Sequence, residues 1–477
     1  MNKQIVTRFA PSPTGDPHIG NVRTALYAWL FARQNEGEFL IRIEDTDQAR
    51  SVEGSEEKIL EMWKWLGFDY DQEIIRQSDR KAVYGEIANK LVEEGKAYRC
   101  FCTSEELDVM RKEQQARKEQ PRYNGRCRNL SAEEVVIRKD NDDAFVIRLA
   151  TPEDGETVVH DVIRGEVAFP NSNIDDLVLL KGDGFPTYHL AHVIDDQEQK
   201  VTHVIRAEEW LPSLPKHILI HKALEYELPI YAHLPMIFAT DKSKLSKRHG
   251  AVSVFDFKDQ GYLRGALINF MLLLGWHPKK GSEKEIFTRE EMLEEFKLED
   301  VQKSGAVFDY QKLDSMNSIY IRQTSIEDIV TEVNRLGIKI NIPDNIKIEA
   351  VVNLEKERIK KLSELSEKLN PLLDGIDYDG EILVWKKSNK DTAFSRLGVM
   401  SDFLSGVSES EWRAEGLETK VKEKIEYEGL GVGDTLWPLR VSLSGQQNSP
   451  GPFEIMEVFG KEESLRRIKV GLEKISK

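Results

Sequence analysis

The sequence predicts an α/β protein: a parallel sheet split by an insertion, then a C-terminal third made of helices. Three observations predict it. Residues 1–80 alternate short β-branched stretches with helical patterns, the rhythm of a parallel sheet with right-handed crossovers. Residues from about 81 to 180 break that rhythm, and it resumes afterwards. After Arg322 almost every segment has helical periodicity as far as Lys477.

Each element follows in order. Ile5 to Thr7 reads as a strand, and Val22 to Gln34 as the helix after it. Phe39 to Glu44 reads as a second strand ending in the acidic turn EDTD, and Glu53 to Leu66 as an amphipathic helix with Ile59, Trp63 and Leu66 on one face. The break holds a helix around Ile87 to Val92, all three cysteines, a basic stretch, and strands at Ala144 to Leu149 and Asp176 to Leu180. The sheet is expected to resume with Pro186 to Val193 and Val201 to Ile205, followed by a helix from Leu214 to Leu224. From about 250 to 322 the pattern is helical, with the apolar Ala266 to Leu274. Val351 to Leu369 and Phe453 to Ile475 are amphipathic, and Ser444 to Pro452 is a loop between packed helices. No internal repeat or low-complexity tract is present.

Bulk properties set limits. A chain of 477 residues makes two to four domains at the usual ~100–200 residues each. Hydrophobic content of 40% supports ordinary cores. No apolar run reaches the ~18 residues of a membrane span, and the N-terminus enters a strand with no leader pattern, so a cytoplasmic protein is expected. Three cysteines, an odd number, argue against a disulfide scaffold and fit a reducing compartment. The net charge of −16 counts against nucleic-acid binding unless local patches decide the matter. One such patch is Arg111 to Arg128, with cations at 111, 112, 117, 118, 122, 126 and 128 against two glutamates. The alternative is a solvated charged helix and loop.

The run RFAPSPTGDPHIGN, Arg8 to Asn21, carries most information. It lies between the first strand and the first helix, where backbone N–H groups and the helix dipole can meet a phosphate chain. Gly15 and Gly20 allow close backbone approach, and Pro11, Pro13 and Pro17 stiffen the turn. His18 can donate to a phosphate oxygen without a full fixed charge. The spacing is neither a dinucleotide fingerprint nor a P-loop. The second run is DKSKLSKR, Asp241 to Arg248. Alone it reads as a solvated basic loop. With the first run it reads as a pair of lysines, Lys244 and Lys247, and Ser246, placed to hold the β- and γ-phosphates of ATP.

Together these runs resemble the HIGH and KMSKS motifs of class I aminoacyl-tRNA synthetases, in the glutamyl/glutaminyl branch. The fourth HIGH position is Asn21 here, and the second motif has its KxSKR form. The resemblance spans the chain. It implies a Rossmann-like catalytic domain in two halves, 1–80 and 183–240, around an inserted acceptor-end-binding domain, 81–182. It further implies a stem-contact region with the KLSKR loop, 241–322, and an all-helical anticodon-binding region, 323–477. The implied reaction is ATP-dependent activation of an amino acid, with Mg²⁺, and transfer to the 3′ end of a tRNA. No covalent enzyme intermediate is needed, so the protein positions reactants and neutralises developing phosphate charge. His18, Gly20, Lys244, Ser246 and Lys247 would do this. The family is usually monomeric.

A glutamate substrate has two carboxylates and one ammonium, so its site needs two cationic contacts and one anionic contact. Arg8, Arg206 and Glu44 meet that need, at C-terminal strand ends where open α/β sheets bind ligands. Arginine suits the task because its planar fork binds a carboxylate in bidentate fashion. The alternative for any one of them is a structural ion pair. Resemblance to glutamyl-tRNA synthetases places Arg8 and Tyr188 near the side-chain carboxylate, Glu44 near the amino group and Arg206 near a carboxylate. It adds Ala10 and Ser12 from the first loop, and His192, where many relatives carry asparagine. The runs YHLAHVIDD (Tyr188 to Asp196) and VIRAEEW (Val204 to Trp210) carry that likeness. The substrates it implies are L-glutamate, ATP and tRNA-Glu.

Cys100, Cys102 and Cys127 suggest zinc, although a closed site takes four ligands. Tyr123 is a candidate fourth ligand, by resemblance to the Cys-x-Cys…Tyr-x-x-x-Cys arrangement of a glutamyl-queuosine synthetase. Three reduced thiols without metal are the other reading. In EKERIKKL, Glu355 to Leu362, Arg358 resembles an arginine that senses the last anticodon base, and a solvated helix face is its alternative. Two rival functions remain. A glutaminyl-tRNA synthetase shares the catalytic core but usually carries C-terminal β-barrels, which the helical pattern opposes. A non-catalytic RNA-binding paralogue should have lost a residue among His18, Glu44, Arg206, Lys244 and Lys247, and all are present.

Overall fold

The computed structural model describes residues 3–119, 121–279, 282–375, 377–386 and 388–476, in two compact units. The first unit is Met1–Asp256 with Ile268–Asp309; the second is Phe257–Leu267 with Tyr310–Lys477.

In the first unit the strands are β1 (Val6–Phe9), β2 (Glu38–Ile43), β3 (Ile75–Arg76), β4 (Ala97–Cys100), β5 (Val146–Leu149), β6 (Glu156–Asp161), β7 (Gly165–Pro170), β8 (Val178–Leu180), β9 (His203–Ala207) and β10 (Ile230–Leu234). β1, β2 and β3 run parallel, as do β9, β10 and β6. Thr202 joins the two sets: its N–H donates to Val6 O at 2.9 Å and its Oγ1 accepts from Val6 N–H at 2.9 Å. β4, β5 and β8 form a separate antiparallel sheet. The expected parallel sheet and crossovers are therefore present. Its short, buried strands carry apolar runs because helices cover them.

Helices α1 (Ile19–Gln34), α2 (Ser55–Leu66), α3 (Lys81–Glu93), α4 (Ser104–Ala116), α5 (Ala132–Asp140), α6 (Tyr188–Glu198) and α7 (Leu214–Leu224) complete what positions the site. α1 is buried nearly all round, with Leu26, Tyr27, Trp29 and Leu30 at the core. Arg23 is buried with it and donates to the carbonyls of Leu274 (3.0 Å) and Pro235 (2.5 Å).

Three readings of the sequence need correction. Pro186 to Val193 is not a strand: Thr187 is extended and α6 starts at Tyr188. Leu190 through Asp196 are all buried, and continuous burial erased the helical period. β6, β7 and β10 were not legible as strands, and β6 joins the parallel sheet from within the insertion. Their outward residues are polar or partly exposed, as in Glu156, Val158 and Glu166. Lastly, Val351 to Leu369 is two helices, Ile348–Lys356 and Glu364–Asp374. Leu362 N–H in the break donates to Gly261 O at 3.1 Å.

The second unit is helical around one apolar core that includes Leu365, Leu369, Leu397, Leu404, Leu417, Leu439, Leu443 and Ile455. Buried Arg467 donates to Leu372 O, Leu373 O and Leu443 O at 2.7–2.8 Å. These are last-turn carbonyls of two helices, where orphan acceptors and the negative dipole end favour a cation. The C-terminal helix Pro452–Ile475 breaks at Gly460, whose φ of 75° only glycine adopts easily.

Candidate active site

At the C-terminal ends of β1, β2 and β9 lies a cavity of about 570 Å³. Arg8, Ala10, Ser12, Glu44, Tyr188 and Arg206 all line it, so six of the seven residues expected to hold the amino acid are brought together. Thr46, Lys181 and Trp210 line it too, and residue-by-residue reading passed over them. The seventh, His192, is 1% exposed and lies behind the wall. Its ring sits 5.2 Å from that of Tyr188, with Nε2 3.3 Å from Asp196 Oδ2 and Nδ1 3.6 Å from Glu44 Oε1.

The two arginines are held differently. Arg8 Nε donates to Asp196 Oδ1 at 3.1 Å, and both groups are buried. The remaining Arg8 nitrogens make no hydrogen bond to the described residues. Arg206 forms no ion pair with a carboxylate among the described residues. Its Nε donates to His233 Nε2 at 3.0 Å and its Nη1 to His217 Nδ1 at 3.1 Å, while buried Nη2 has no partner. Tyr188 OH accepts a longer bond from Nη1 at 3.4 Å, and burial pushes that phenol up to about 12.

Arg42, fully buried, anchors the acids beneath the cavity and was not singled out in the sequence. Its Nη1 lies 2.7 Å from Asp196 Oδ1 and its Nη2 3.0 Å from Glu44 Oε1. Burial works to raise the Glu44 carboxyl, but His192, Arg42 and Arg8 outweigh it and hold it below the usual range. Asp196 is driven further down: burial is overcome by Arg8, His192 and Arg42. Two ionised carboxylates thus face the same arginine cluster. One of them, Glu44, also faces the cavity.

The first run is bonded through backbone to residues 252–254, a few residues beyond the lysine run. Ile19 N–H donates to Val252 O at 2.9 Å, and Val254 N–H to Pro17 O at 3.2 Å. His18 caps α1: its Nδ1 accepts from Gly20 N–H at 3.1 Å, which leaves the ring proton on Nε2. A Cβ on Gly20 would lie 3.3 Å from His18 Nδ1, so glycine keeps that imidazole in place. The expectation of free N–H groups at this helix start fails. Ile19, Gly20 and Asn21 N–H are all spent inside the protein, because buried donors are rarely left unpaired. In the second run, exposed Lys244 pairs with Glu209 Oε2 at 2.6 Å. His249 Nδ1 accepts from Ser246 N–H at 3.1 Å. The Lys247 side chain lies outside the described residues.

In the insertion, the sulfurs of Cys100, Cys102 and Cys127 lie within 4.8 Å of one another. Tyr123 OH is 3.4 Å from the sulfurs of Cys100 and Cys102, and Cys102 and Cys127 sulfurs are 3.5 Å apart. The Cys100 thiol is drawn down to about 4 by its bond from Cys127, against burial, with help from Tyr123 and Arg148. The basic patch is partly neutralised: Arg111, Arg117, Arg126 and Arg128 each pair with a carboxylate. In the helical unit, Arg358 Nη1 lies 3.5 Å from the carboxylate of buried Glu355.

A parallel sheet with this turn and this lysine loop at its carboxyl edge defines a class I aminoacyl-tRNA synthetase. The family described as tRNA synthetases class I (E and Q), catalytic domain, matches residues 4–315, and an anticodon binding domain matches residues 325–472. The chain is 44% identical over 491 residues to a glutamate–tRNA ligase of Dehalococcoides mccartyi strain CBDB1, covering 100% of this chain and 99% of that one. It is 43% identical over 473 residues to glutamate–tRNA ligase 1 of Caldanaerobacter subterraneus subsp. tengcongensis, covering 98% and 97%. Its structure is similar to that of a glutamate tRNA ligase from Elizabethkingia meningosepticum in complex with its amino acid, with a TM-score of 0.87, 35% identity, and coverage of 99% and 100%. The chain belongs to the glutamate–tRNA ligase family of class I synthetases, and is an aminoacyl-tRNA ligase. Among the described residues, no helix is long and apolar enough to cross a membrane.

Proposed function

We propose that this cavity activates L-glutamate with MgATP and passes the glutamyl group to the 3′ end of tRNA-Glu. One observation carries the reading: two buried guanidinium groups and one ionised carboxylate line a single cavity at the carboxyl edge of the sheet. Arg8 and Arg206 would take the two carboxylates, and Glu44 the ammonium. Ala10 and Ser12 would fit the substrate against the first loop. His18 would donate from Nε2 to a phosphate oxygen, with Gly20 keeping its ring in place. Lys244 would exchange Glu209 for the phosphates, joined by Lys247 and Ser246. The substrate α-carboxylate attacks the α-phosphorus and pyrophosphate leaves; a hydroxyl of the terminal adenosine then attacks the activated carbonyl, the acyl–phosphate bond breaks and AMP leaves.

The five-part division at 80, 182, 240 and 322 serves this reaction, with 81–182 on the acceptor end and 323–477 on the anticodon, where Arg358 would read a base. A monomer working in the cytoplasm fits three cysteines that form no disulfide. The test is aminoacylation of separate tRNA-Glu and tRNA-Gln transcripts with glutamate and with glutamine. Charging of tRNA-Glu with glutamate supports the reading. Charging with glutamine alone would refute it.

Zinc fits the cysteine cluster. Tetrahedral sulfur ligands at ~2.3 Å from the metal lie roughly 3.8 Å apart, close to the spacings among Cys100, Cys102, Tyr123 and Cys127. Bound there, the metal would pin the segment between α4 and α5 to the end of β4. Protein purified without chelator should hold about one zinc per chain, lost in Cys100→Ser. Its absence from the wild-type protein would remove the metal from the account.

A further inference from the structure

Arg206 is buried, yet among the described residues its hydrogen bonds go to neutral rings and to no carboxylate. Arginine donates and cannot accept, so its bonds fix the protons on those rings. His233 Nε2 accepts from Arg206 Nε at 3.0 Å, so the His233 proton lies on Nδ1, 2.6 Å from Asp161 Oδ2. His217 Nδ1 accepts from Nη1 at 3.1 Å, so its proton lies on Nε2 and is donated to His189 Nδ1 at 3.0 Å. Asp161, fully buried, also accepts from the N–H groups of Ile163, Arg164 and His233 at 2.8–3.3 Å. It is anchored from three directions.

We propose that His233 and His217 are positioning residues for glutamate binding: as neutral acceptors they aim Arg206 while leaving its charge for the substrate, and Asp161 sets the tautomer of His233. This rests on the reading that Arg206 takes a substrate carboxylate. A carboxylate in place of either ring would pair with Arg206 directly, and glutamate would then have to displace it, as Asp196 already occupies Arg8 Nε. An imidazole satisfies the donor's geometry without neutralising the cation. Asp161 offsets the charge from behind the ring and does not occupy the free Nη2. The acid comes from β6, inside the insertion, so that hairpin supplies part of the support for the amino-acid site.

The experiment combines variants with spectroscopy. His233→Leu removes the acceptor, whereas His233→Gln keeps an oxygen for Arg206 Nε and an N–H for Asp161. In tRNA-dependent ATP–pyrophosphate exchange, His233→Leu should raise KM for glutamate about tenfold or more, the size of one lost bond to a charged group, with KM for ATP held. His233→Gln should recover most of that loss. In the full-length wild-type protein, ¹⁵N-histidine NMR at neutral pH should find His233 as the Nδ1–H tautomer and His217 as the Nε2–H tautomer, assigned with His233→Gln and His217→Gln. This readout stands even where the leucine variant fails to fold. The opposite tautomer or a charged ring at His233 overturns the proposal, as does an equal rise in both KM values with no rescue. Arg206→Leu separates the two levels. If it leaves KM for glutamate unchanged, the carboxylate reading itself fails. If it raises that KM while the histidine variants do not, only the relay fails.

Discussion

The cavity at the carboxyl edge of the sheet and the lysine loop hold their cations in opposite ways. In the cavity the cations are buried and fixed: Arg8 is 5% exposed and leans on Asp196, and Arg206 is 5% exposed and leans on imidazoles. In the loop, the Lys244 side chain is 65% exposed and is held only by a surface pair with Glu209. A buried unmatched ligand group costs several kcal/mol, whereas an exposed ion pair contributes ~0–1 kcal/mol. If the cavity holds the amino acid as proposed, its fixed cations would penalise one that lacks the matching anion. The loop can release Glu209 cheaply, as its proposed action on charge that develops as pyrophosphate leaves would require.

That contrast can be broken at the loop first. Lys247→Ala should cost on the order of 2–4 kcal/mol in transition-state stabilisation, comparable to losing one oxyanion donor. The fall should appear in the rate of adenylate formation, with glutamate affinity little changed. Wild-type exchange rates in that variant would return the run to a plain basic loop.

Acid titration sharpens the cavity's side. Burial, the leading cause in each case, lowers His192, His217 and His233 below the usual histidine value, and takes His189 to about 3 and His221 to about 4. The unfolded chain takes up those protons near pH ~6.5 and the folded chain does not. Stability should therefore fall as pH drops below ~6.5, by about 1 kcal/mol per pH unit for each histidine that stays neutral. The depressed carboxylates of Glu44 and Asp196 add a second loss, starting only below the unfolded carboxyl range of ~4. Denaturant midpoints measured across pH should show both windows. A flat profile between pH ~6.5 and ~5 would mean that these histidines titrate normally when folded.

The smallest effect belongs to Arg358. It is partly exposed and lies 3.5 Å from Glu355, whose own carboxyl is raised by burial despite Arg358 and Lys368. Arg358→Gln should narrow discrimination between tRNA-Glu and tRNA-Gln by a modest factor and leave glutamate activation intact. Unchanged discrimination would reduce the residue to a salt-bridge partner on the helical surface.

The sequence made the chemistry-bearing parts legible where residue types were constrained by charge or backbone. The HIGN turn, the lysine loop and the Arg8, Glu44 and Arg206 set stood out for that reason, and the structure brings Arg8, Glu44 and Arg206 to one cavity. The supports did not stand out. Arg42, Asp161, His217 and His233 act through partners far along the chain, such as Asp161 with His233, and no local pattern records that pairing. α6 was mistaken for a strand because it is buried on nearly every face, so its apolar period vanished. His192 was grouped with the substrate contacts only by resemblance to the family. Its position four residues on puts it behind Tyr188, between Glu44 and Asp196.

On the proposed reading, the fixed buried guanidinium of Arg8 selects the dicarboxylate. The most direct test of that reading is the ratio of kcat/KM for glutamate over glutamine in tRNA-dependent ATP–pyrophosphate exchange, in the wild type and in Arg8→Gln. The wild type should favour glutamate strongly, because the neutral amide of glutamine offers no charged partner to the Arg8 nitrogens that Asp196 does not engage. Arg8→Gln should collapse the ratio by depressing use of glutamate far more than use of glutamine. An equal loss for both amino acids would contradict the account and make Arg8 a structural partner of Asp196.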